Sequence, residues 1–384
     1  MSYYIHADQF FYPQGIRQGG YLEISQGRFG AYQVDLPEGA EVLDYSGFSI
    51  APGLVDTHIH GFAGSDVMDA DVDGLVHTMS EGLLSAGVTS FLPTALTASF
   101  ETLLDISRLV GEHHQEATGA KIRGLYFEGP YFTEEHKGAQ NPKYMKDPSF
   151  AEFTAWYEAS KGLLSKIAIA PERPQAADFA RKVSDLGVVV ALGHSSATYA
   201  QAVKAVDAGA SVWVHAYNAM RGLSHREIGM VGAVYQLPQT YAELICDGHH
   251  VSPEACDILI QQKGYDKVAL ITDCMAAGGL KDGQYKLGEY TVDVRDGAAF
   301  LPTGNLAASI LRLKDGMKHV VDWGLVNAHE AVMMASLIPA QSMRIDDVCG
   351  QIKPGHAADF IVLDKDLSLQ ATYLDGIKRF EVGQ

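Results

Sequence analysis

The sequence predicts an α/β protein: a (β/α)8 TIM-type barrel with a small β-sandwich domain built from both chain ends. In the middle of the chain, short apolar strands alternate with amphipathic helices, which is typical of βα units and a parallel sheet. Eight such strands can be counted, the number that closes a barrel. Residues near both ends alternate in polarity, as half-buried strands do.

Length and composition set the class of protein. The chain has 384 residues, of which 47% are hydrophobic and 20% charged, which suits a soluble globular protein with a barrel and a smaller appendage. The net charge of -18, without a basic block, argues against nucleic acid or a membrane surface as a partner. Because no signal peptide or long apolar stretch is evident and the four cysteines lack C-x-x-C spacing, we expect a cytoplasmic protein with free thiols.

The two chain ends have the same strand-like pattern. "YYIHADQFFY" and "GGYLEISQGRFGAYQ" lie near the N-terminus, and "GQIKPGHAADFIVLDKDLSLQATYLDGIKRFEVG" lies at the C-terminus. We therefore expect residues 1–50 and 346–384 to form the small β domain, and residues 51–345 to form the barrel.

The barrel strands follow in order, and amphipathic segments such as "SFAEFTAWYEASKG" and "PEACDILIQQKG" are expected to form helices between them. The strands are "GLVDTH", "VTSFLP", "IRGLYFEG", "KIAIAPE", "VVVALGH", "SVWVHA", "AELICDG" and "VALITD". After the eighth, "GGLKDGQYKLGEYTVDVRDGAAFLPTGN" is expected to form an inserted hairpin. Two helices, around Leu306 to Asp322 and Ala328 to Ser336, are expected to return the chain to the terminal sheet.

Potential metal ligands stand where the predicted strands end. They are His58 and His60 after the first strand, Glu128 after the third, His194 after the fifth, His215 after the sixth and Asp273 after the eighth. In a barrel these ends meet at one mouth, where such barrels have their active sites. Each residue taken singly has a structural alternative, as a hydrogen-bonded histidine or a helix-capping aspartate. Six at one mouth favour a site for a divalent metal.

Water activated by a metal is the best-supported nucleophile, because a divalent ion lowers the pKa of bound water to about 7. There is no G-x-S-x-G motif, and Cys274 has no basic neighbour in sequence that would lower its pKa. No lysine ends the fourth strand, where "APERP" stands, so we expect Glu128 rather than a carbamylated lysine to supply the carboxylate.

Several longer motifs are more specific than His-x-His. They are "APGLVDTHIHG", "EGPYF", "KGAQNP", "LGHSSAT", "VHAYNAM", "HREIGMVGA", "CDGHHV", "LITDCMAAGG" and "GQIKPGHAADFIVLD". With them, nearly the whole chain resembles the N-acetylglucosamine-6-phosphate deacetylase family of the amidohydrolase superfamily. The resemblance implies hydrolysis of an acetamide to glucosamine 6-phosphate and acetate.

The resemblance also implies roles for individual residues. The implied metal ligands are Glu128, His194 and His215, with Asp273 at the metal as the acid/base. The implied sugar-phosphate ligands are Asn218, the backbone of Ala219, Arg226 and His250. Arg226 is expected to reach across a homodimer interface, where its guanidinium can bind a phosphate through two hydrogen bonds. Seen alone, Arg226 would be a surface ion-pair partner, and His250 a residue at a helix start.

Two positions depart from the family pattern. Gln140 stands where a histidine is frequent, so an amide would make the contacts of that loop to the substrate. Ala308 stands where glycine is usual, in the loop of Leu306, Ala307 and Ala308 that we expect to close over the sugar.

The metal count and the substrate leave alternatives. Some family members lack both histidines of "THIHG" and work with one metal. Because this chain has His58 and His60, we expect these two residues to hold a second ion beside the first. We expect zinc or iron, one or two ions per protomer. The alternative functions are a deacetylase for another N-acetylhexosamine phosphate, a cyclic-amide hydrolase, or a barrel that binds without catalysis.

Overall fold

The computed structural model describes residues 2–383, which form a mixed α/β structure. The N-terminal strands are β1 (Ser2–Tyr12), β2 (Gly15–Gln18), β3 (Tyr21–Ser25), β4 (Arg28–Gln33) and β5 (Val42–Pro52). The central strands are β6 (Leu54–Ile59), β7 (Gly61–Phe62), β8 (Ser65–Asp66), β9 (Val88–Ala95), β10 (Lys121–Ile122), β11 (Leu125–Tyr131), β12 (Leu164–Ile169), β13 (Val189–Leu192), β14 (Ala210–Trp213), β15 (Tyr241–Leu244) and β16 (Val268–Leu270). The last strands are β17 (Gly283–Leu287), β18 (Tyr290–Arg295), β19 (Ala298–Phe300), β20 (Phe360–Leu363), β21 (Leu369–Leu374) and β22 (Ile377–Glu381).

Helices alternate with the central strands, as the amphipathic pattern predicts. They are α1 (Ser80–Leu84), α2 (Phe100–His113), α3 (Phe150–Ala159), α4 (Ala176–Asp185), α5 (Tyr199–Asp207), α6 (Gly229–Gln236), α7 (Pro253–Lys263), α8 (Leu313–Asp322), α9 (Ala328–Ala335) and α10 (Leu337–Ser342). Ser99 caps the start of α2 by accepting a hydrogen bond from the Thr102 N–H. Among residues 2–383, none of the helices has the length and apolarity needed to cross a bilayer.

The eight predicted barrel strands are confirmed. They are β6, β9 and β11 to β16, which pair in parallel in this order. The ring closes beyond the last strand, where Ile59 and Cys274 form a parallel bridge and the Asp273 N–H donates to the His58 carbonyl at 2.9 Å. All four residues of β13, Val-Val-Ala-Leu, are buried, which explains why such a strand reads as an apolar run. The closure brings the ends of β6 and β16, both with predicted ligands, side by side.

The strands of the two chain ends form one continuous hydrogen-bonded sheet, where the sequence predicts a sandwich. Its order is β22-β21-β20-β5-β1-β3-β4, with β2 paired to β1. Ile5, Phe10 and Phe360 belong to a core of its own. Strand β5 continues past residue 50 to Pro52, which pairs with Phe360. The division of the chain at residues 50 and 346 stays a prediction.

The inserted segment after β16 contains the predicted hairpin, β17-β18, and adds a third antiparallel strand, β19, which the sequence analysis did not predict. A second tight turn adds the extra strand. Asp296 and Gly297 both have positive φ, at 53° and 80°, and connect Arg295 to Ala298. Asp-Gly is a favoured pair for such a turn.

The predicted helix from Leu306 to Asp322 begins only at Leu313. The preceding residues are instead extended, because their backbone forms hydrogen bonds with other segments of the same chain. Ala307 N–H donates to the Ala299 carbonyl at 2.9 Å, and Ser309 N–H donates to the Asp273 carbonyl at 2.8 Å. The segment therefore runs beside the end of the barrel, next to a predicted ligand.

Candidate metal centre and active site

The ends of the barrel strands bring all six predicted ligands together. They form two groups of potential metal donors, His58 with His60, Glu128 and Asp273, and Glu128 with His194 and His215. Within each group the donor atoms lie within 4.8 Å of one another, and all six residues are buried. Glu128 belongs to both groups, so its carboxylate lies between two positions that suit a cation.

Each oxygen of Glu128 faces a different set of imidazoles. Oε1 lies 3.1 Å from His194 Nε2 and 3.0 Å from His215 Nε2. Oε2 lies 3.2 Å from His60 Nε2. Asp273 Oδ1 completes the second set, at 3.0 Å from His60 Nε2. Two or three potential metal ligands therefore lie on each side of the Glu128 carboxylate, which is the arrangement expected for two adjacent metal ions.

Left-handed backbone directs three of these side chains into the mouth. His194, His215 and Asp273 have φ of 46°, 29° and 52°. Such values are sparse for residues other than glycine and cost on the order of 1–3 kcal/mol each. They persist because hydrogen bonds from neighbouring loops hold them, and the strain lies at the strand ends where the donors converge.

Two histidines are oriented for metal binding. His60 Nδ1 donates to the Thr94 carbonyl at 3.0 Å, and His194 Nδ1 donates to the His136 carbonyl at 2.8 Å. A carbonyl only accepts, so Nδ1 carries a proton in both rings, and Nε2, which faces the carboxylates, is the nitrogen that can bind a metal. Nitrogen and carboxylate donors of this kind fit a divalent metal ion.

Burial and charge oppose each other in the pKa values of this cluster. Burial lowers the pKa of His58, but the charges of Glu128, Asp273 and Glu243 outweigh it and raise the value to about 9. Burial likewise raises the pKa of Glu128, but His58 and hydrogen bonds from the other imidazoles bring it well below the usual range. Burial lowers the pKa of His194, which therefore stays neutral at pH 7. Glu128 is thus ionised, which is the form in which a carboxylate binds a cation.

A cavity of about 150 Å³ opens over the donor atoms. Seven of the eight predicted substrate-binding residues line it. They are Gln140, Asn218, Ala219, His250, Leu306, Ala307 and Ala308. The eighth, Arg226, is exposed on a separate loop, where its Nη1 lies 2.8 Å from His225 Nε2. The protomer's own cavity therefore contains seven of the predicted residues but not the arginine.

Gln140 makes a contact that the sequence did not predict. Its Nε2 donates to Glu128 Oε2 at 2.6 Å, and its Oε1 accepts from the Thr97 N–H at 2.7 Å. His250, which also lines the cavity, is held by Asp247, which accepts from its Nδ1 at 2.6 Å. Burial lowers the pKa of His250, but Asp247 outweighs this and raises it. The cavity lining thus includes an amide bonded to the shared carboxylate and an imidazole whose protonated form is favoured.

Sequence analysis missed two buried charges and part of the cavity wall. Glu243 accepts from His58 Nδ1 at 3.0 Å, and Lys166 forms an ion pair with Glu243. Both were readable as charged residues inside predicted apolar barrel strands, "AELICDG" and "KIAIAPE". Leu96 and Leu287 also line the cavity, but no sequence pattern identifies them. An apolar residue in a loop or an insertion that faces a cavity cannot be distinguished in the sequence from other apolar residues there.

Comparison with known proteins gives consistent results. The model of the amidohydrolase family matches residues 49–382. The chain is 40% identical to an N-acetylglucosamine-6-phosphate deacetylase of Vibrio furnissii over 88% of this chain and 84% of that protein. It is 36% identical to an N-acetylgalactosamine-6-phosphate deacetylase of Escherichia coli O157:H7, over 98% and 99%.

One solved structure with a similar fold also contains a ligand. It is a mutant N-acetyl-D-glucosamine-6-phosphate deacetylase of Mycobacterium smegmatis in complex with N-acetyl-D-glucosamine 6-phosphate. The TM-score is 0.93 at 31% identity, over 98% of this chain and 99% of that one. The similarity therefore includes both the barrel and the terminal sheet.

Proposed function

The chain belongs to the amidohydrolase family, and we propose that it hydrolyses the acetamide of N-acetylglucosamine 6-phosphate to glucosamine 6-phosphate and acetate. One observation carries the proposal: the two donor groups that share Glu128 lie at the floor of a cavity lined by the predicted sugar residues. The names of the similar proteins above support the same substrate class.

The donor set is proposed to hold one or two divalent ions, zinc or ferrous iron, per protomer. Glu128, His194 and His215 would hold one, and His58 and His60 would hold a second with Glu128 shared. Imidazole and carboxylate are suitable ligands for either metal. A divalent ion there polarises a carbonyl oxygen and makes water a nucleophile at neutral pH.

Asp273 is proposed to be the acid/base. Its side chain is 13% exposed, against 2% for Glu128, so of these two cavity-lining carboxylates it is the more accessible one. Its pKa lies below the usual range, because His58 and His60 outweigh the effect of burial, so it is ionised and able to accept a proton from water. The same oxygen can then deliver the proton to the amine as the C–N bond breaks.

The phosphate is proposed to bind at His250 and Asn218. Both line the cavity, His250 has a raised pKa, and a protonated imidazole suits a phosphate. Arg226 is proposed to come from the partner in a homodimer, which agrees with its exposure outside the protomer's own cavity.

A cytoplasmic location is also proposed, supported by four buried cysteines without disulfides.

A second substrate has a specific observation in its favour. The relative named as an N-acetylgalactosamine-6-phosphate deacetylase aligns over 98% of this chain, more than the 88% of the Vibrio furnissii protein. The two sugars differ only in the orientation of one hydroxyl, so the acetamide and phosphate contacts suit both. We therefore carry N-acetylgalactosamine 6-phosphate as the alternative substrate.

The test is acetate release from a panel of substrates by the purified, zinc-reconstituted protein. The panel has N-acetylglucosamine 6-phosphate, N-acetylgalactosamine 6-phosphate, unphosphorylated N-acetylglucosamine and a cyclic amide. We expect the highest kcat/KM on the first substrate and a large loss without the phosphate. A higher value on the galacto compound would select the alternative, and turnover of the cyclic amide alone would refute both.

A further inference from the structure

A buried ion pair lies behind the donor atoms, inside the barrel. Lys166 on β12 and Glu243 on β15 are each 0% exposed, and Lys166 Nζ donates to Glu243 Oε1. The ammonium also lies 3.9 Å from the centroid of the Tyr126 ring and 3.4 Å from the Thr57 carbonyl oxygen. In proteins generally, replacement of a buried ion pair by apolar side chains of similar volume is often neutral or stabilising. The pair therefore calls for a role other than packing.

Glu243 connects the pair to the metal donors. Its Oε2 accepts from His58 Nδ1 at 3.0 Å and from the His215 backbone N–H at 3.3 Å. Because Lys166 donates to Oε1 and the His215 backbone N–H donates to Oε2, both oxygens of Glu243 act as acceptors. His58 Nδ1 therefore carries a proton, and its Nε2 points to Glu128 Oε1 and Asp273 Oδ1, each at 3.5 Å.

The way in which His58 is held differs from that of its neighbours. His60 and His194 donate to backbone carbonyls, whose positions follow from the fold. His58 donates to a side chain, and that side chain is itself held by Lys166 on another strand. The orientation of this one ligand therefore depends on the ion pair. A carboxylate that accepts from the far nitrogen of a ligating imidazole fixes its tautomer and raises its basicity.

We propose that Glu243, held by Lys166, is a positioning residue that keeps His58 protonated on Nδ1, so that Nε2 can bind the ion shared with His60. The inference rests on the proposed function for the identity of this position as a metal site. It assigns to the ion pair control over the ion at His58 and His60, which we expect to be the more weakly bound one. The ion at His194 and His215 is connected to Glu243 only through the backbone N–H of His215 and should depend on it less.

Two variants separate this role from a structural one. Glu243→Gln keeps the size of the side chain but leaves one acceptor oxygen, for which Lys166 and His58 compete. If the amide oxygen turns to Lys166, its NH₂ faces His58 and favours the wrong tautomer. Lys166→Met combined with Glu243→Gln removes both charges together, so no buried charge is left unpaired and the amide oxygen is free for His58. The double variant is therefore the rescue.

Lys263→Met is the matched control for removal of a buried lysine. Lys263 is 6% exposed and donates to the Leu237 carbonyl at 2.8 Å and to Thr240 Oγ1 at 3.1 Å. It ends α7, on the outside of the barrel. Its removal should lower thermal stability without altering the affinity for either ion.

The readouts are the zinc affinity of each position, measured by titration of chelator-treated protein, and the ring tautomer of His58. The tautomer is read from ¹H–¹⁵N spectra of zinc-loaded protein labelled at histidine. In the parent protein we expect the His58 proton on Nδ1 with zinc on Nε2. In Glu243→Gln the Kd of the weaker ion should rise roughly 10–100-fold, and the Kd of the tighter ion should change much less. The double variant should regain most of the parent affinity.

Several results would overturn the proposal. A zinc-loaded parent with the His58 proton on Nε2 would do so without any variant, whether or not the variants fold. Unchanged Kd values in folded Glu243→Gln, or a folded double variant as weak as the single one, would also do so. None of these readouts needs a substrate, so absence of deacetylation by the parent would refute the proposed function and leave this test intact.

Discussion

Replacement of Gln140 by methionine tests what holds the shared carboxylate. The side chain is 2% exposed and makes two short hydrogen bonds, to Glu128 Oε2 at 2.6 Å and from the Thr97 N–H at 2.7 Å. Methionine has a similar volume but cannot make either bond. Gln140→Met therefore removes the polar link between Glu128 and the neighbouring loop while leaving the cavity wall filled.

The expected loss in the free energy of unfolding follows from these two hydrogen bonds. A buried N–H left without an acceptor costs about 1–3 kcal/mol, and a hydrogen bond to a charged group contributes about 1.5–3 kcal/mol. Because both losses occur at one site and are not additive, we expect the free energy of unfolding to fall by about 3 kcal/mol. Glu128 then has more freedom to rotate, so kcat should fall roughly 10–100-fold while KM changes little.

The assay is steady-state acetate release with zinc titration and urea unfolding on the same preparations. Gln140→His, the residue frequent in the family at this position, retains a donor for Glu128 and should keep most of the activity. Asn141→Ala is the neighbouring control, because the Asn141 amide donates to Glu289 instead of to the metal cluster. A Gln140→Met protein with raised KM, unchanged kcat and unchanged zinc affinity would refute this reasoning, and would show that the amide contacts the substrate instead.

Three other substitutions have defined outcomes. Asp273→Asn should bind metal yet lose several powers of ten in kcat, because an amide cannot transfer the proton; activity within about tenfold of the parent would remove Asp273 from this role. Arg226→Ala should raise KM for the phosphorylated sugar and hardly change turnover of N-acetylglucosamine, whereas equal losses on both would indicate a structural role. Mixing Arg226→Ala with Asp273→Asn protomers should restore some activity if the site is shared. His58→Gln with His60→Asn should lower the metal content from near two to near one per protomer, with kcat moderately reduced, and an unchanged content would show that neither is a ligand.

The sequence predicts the barrel well because its strands are buried on both faces. Every residue of β13 is buried and apolar, so the strand reads as an apolar run bounded by helical segments. The six metal-binding candidates followed from one geometric fact: residues that end parallel strands meet at one mouth of a closed barrel. Their identity and their common location could both be inferred without knowledge of any contact distance.

What the sequence could not predict depends on contacts between distant segments. Lys166 and Glu243 lie on β12 and β15, which β13 and β14 separate in the sheet, so no local pattern says that their side chains meet across the barrel interior. The extended stretch before α8 is similar, because Ser309 bonds to Asp273, 36 residues away, and this contact overrides the local helical pattern. The third inserted strand was within reach, since Asp296-Gly297 is a local turn signal.

The most direct test of the central claim is acetate release from N-acetylglucosamine 6-phosphate by chelator-stripped protein, measured as zinc is added back. If the six strand-end residues form a catalytic metal site, the stripped protein should be inactive. Activity should then rise with added zinc and level off at one or two equivalents per protomer, while Asp273→Asn takes up the same zinc and stays inactive. Full acetate release by protein shown to contain no metal would contradict the claim.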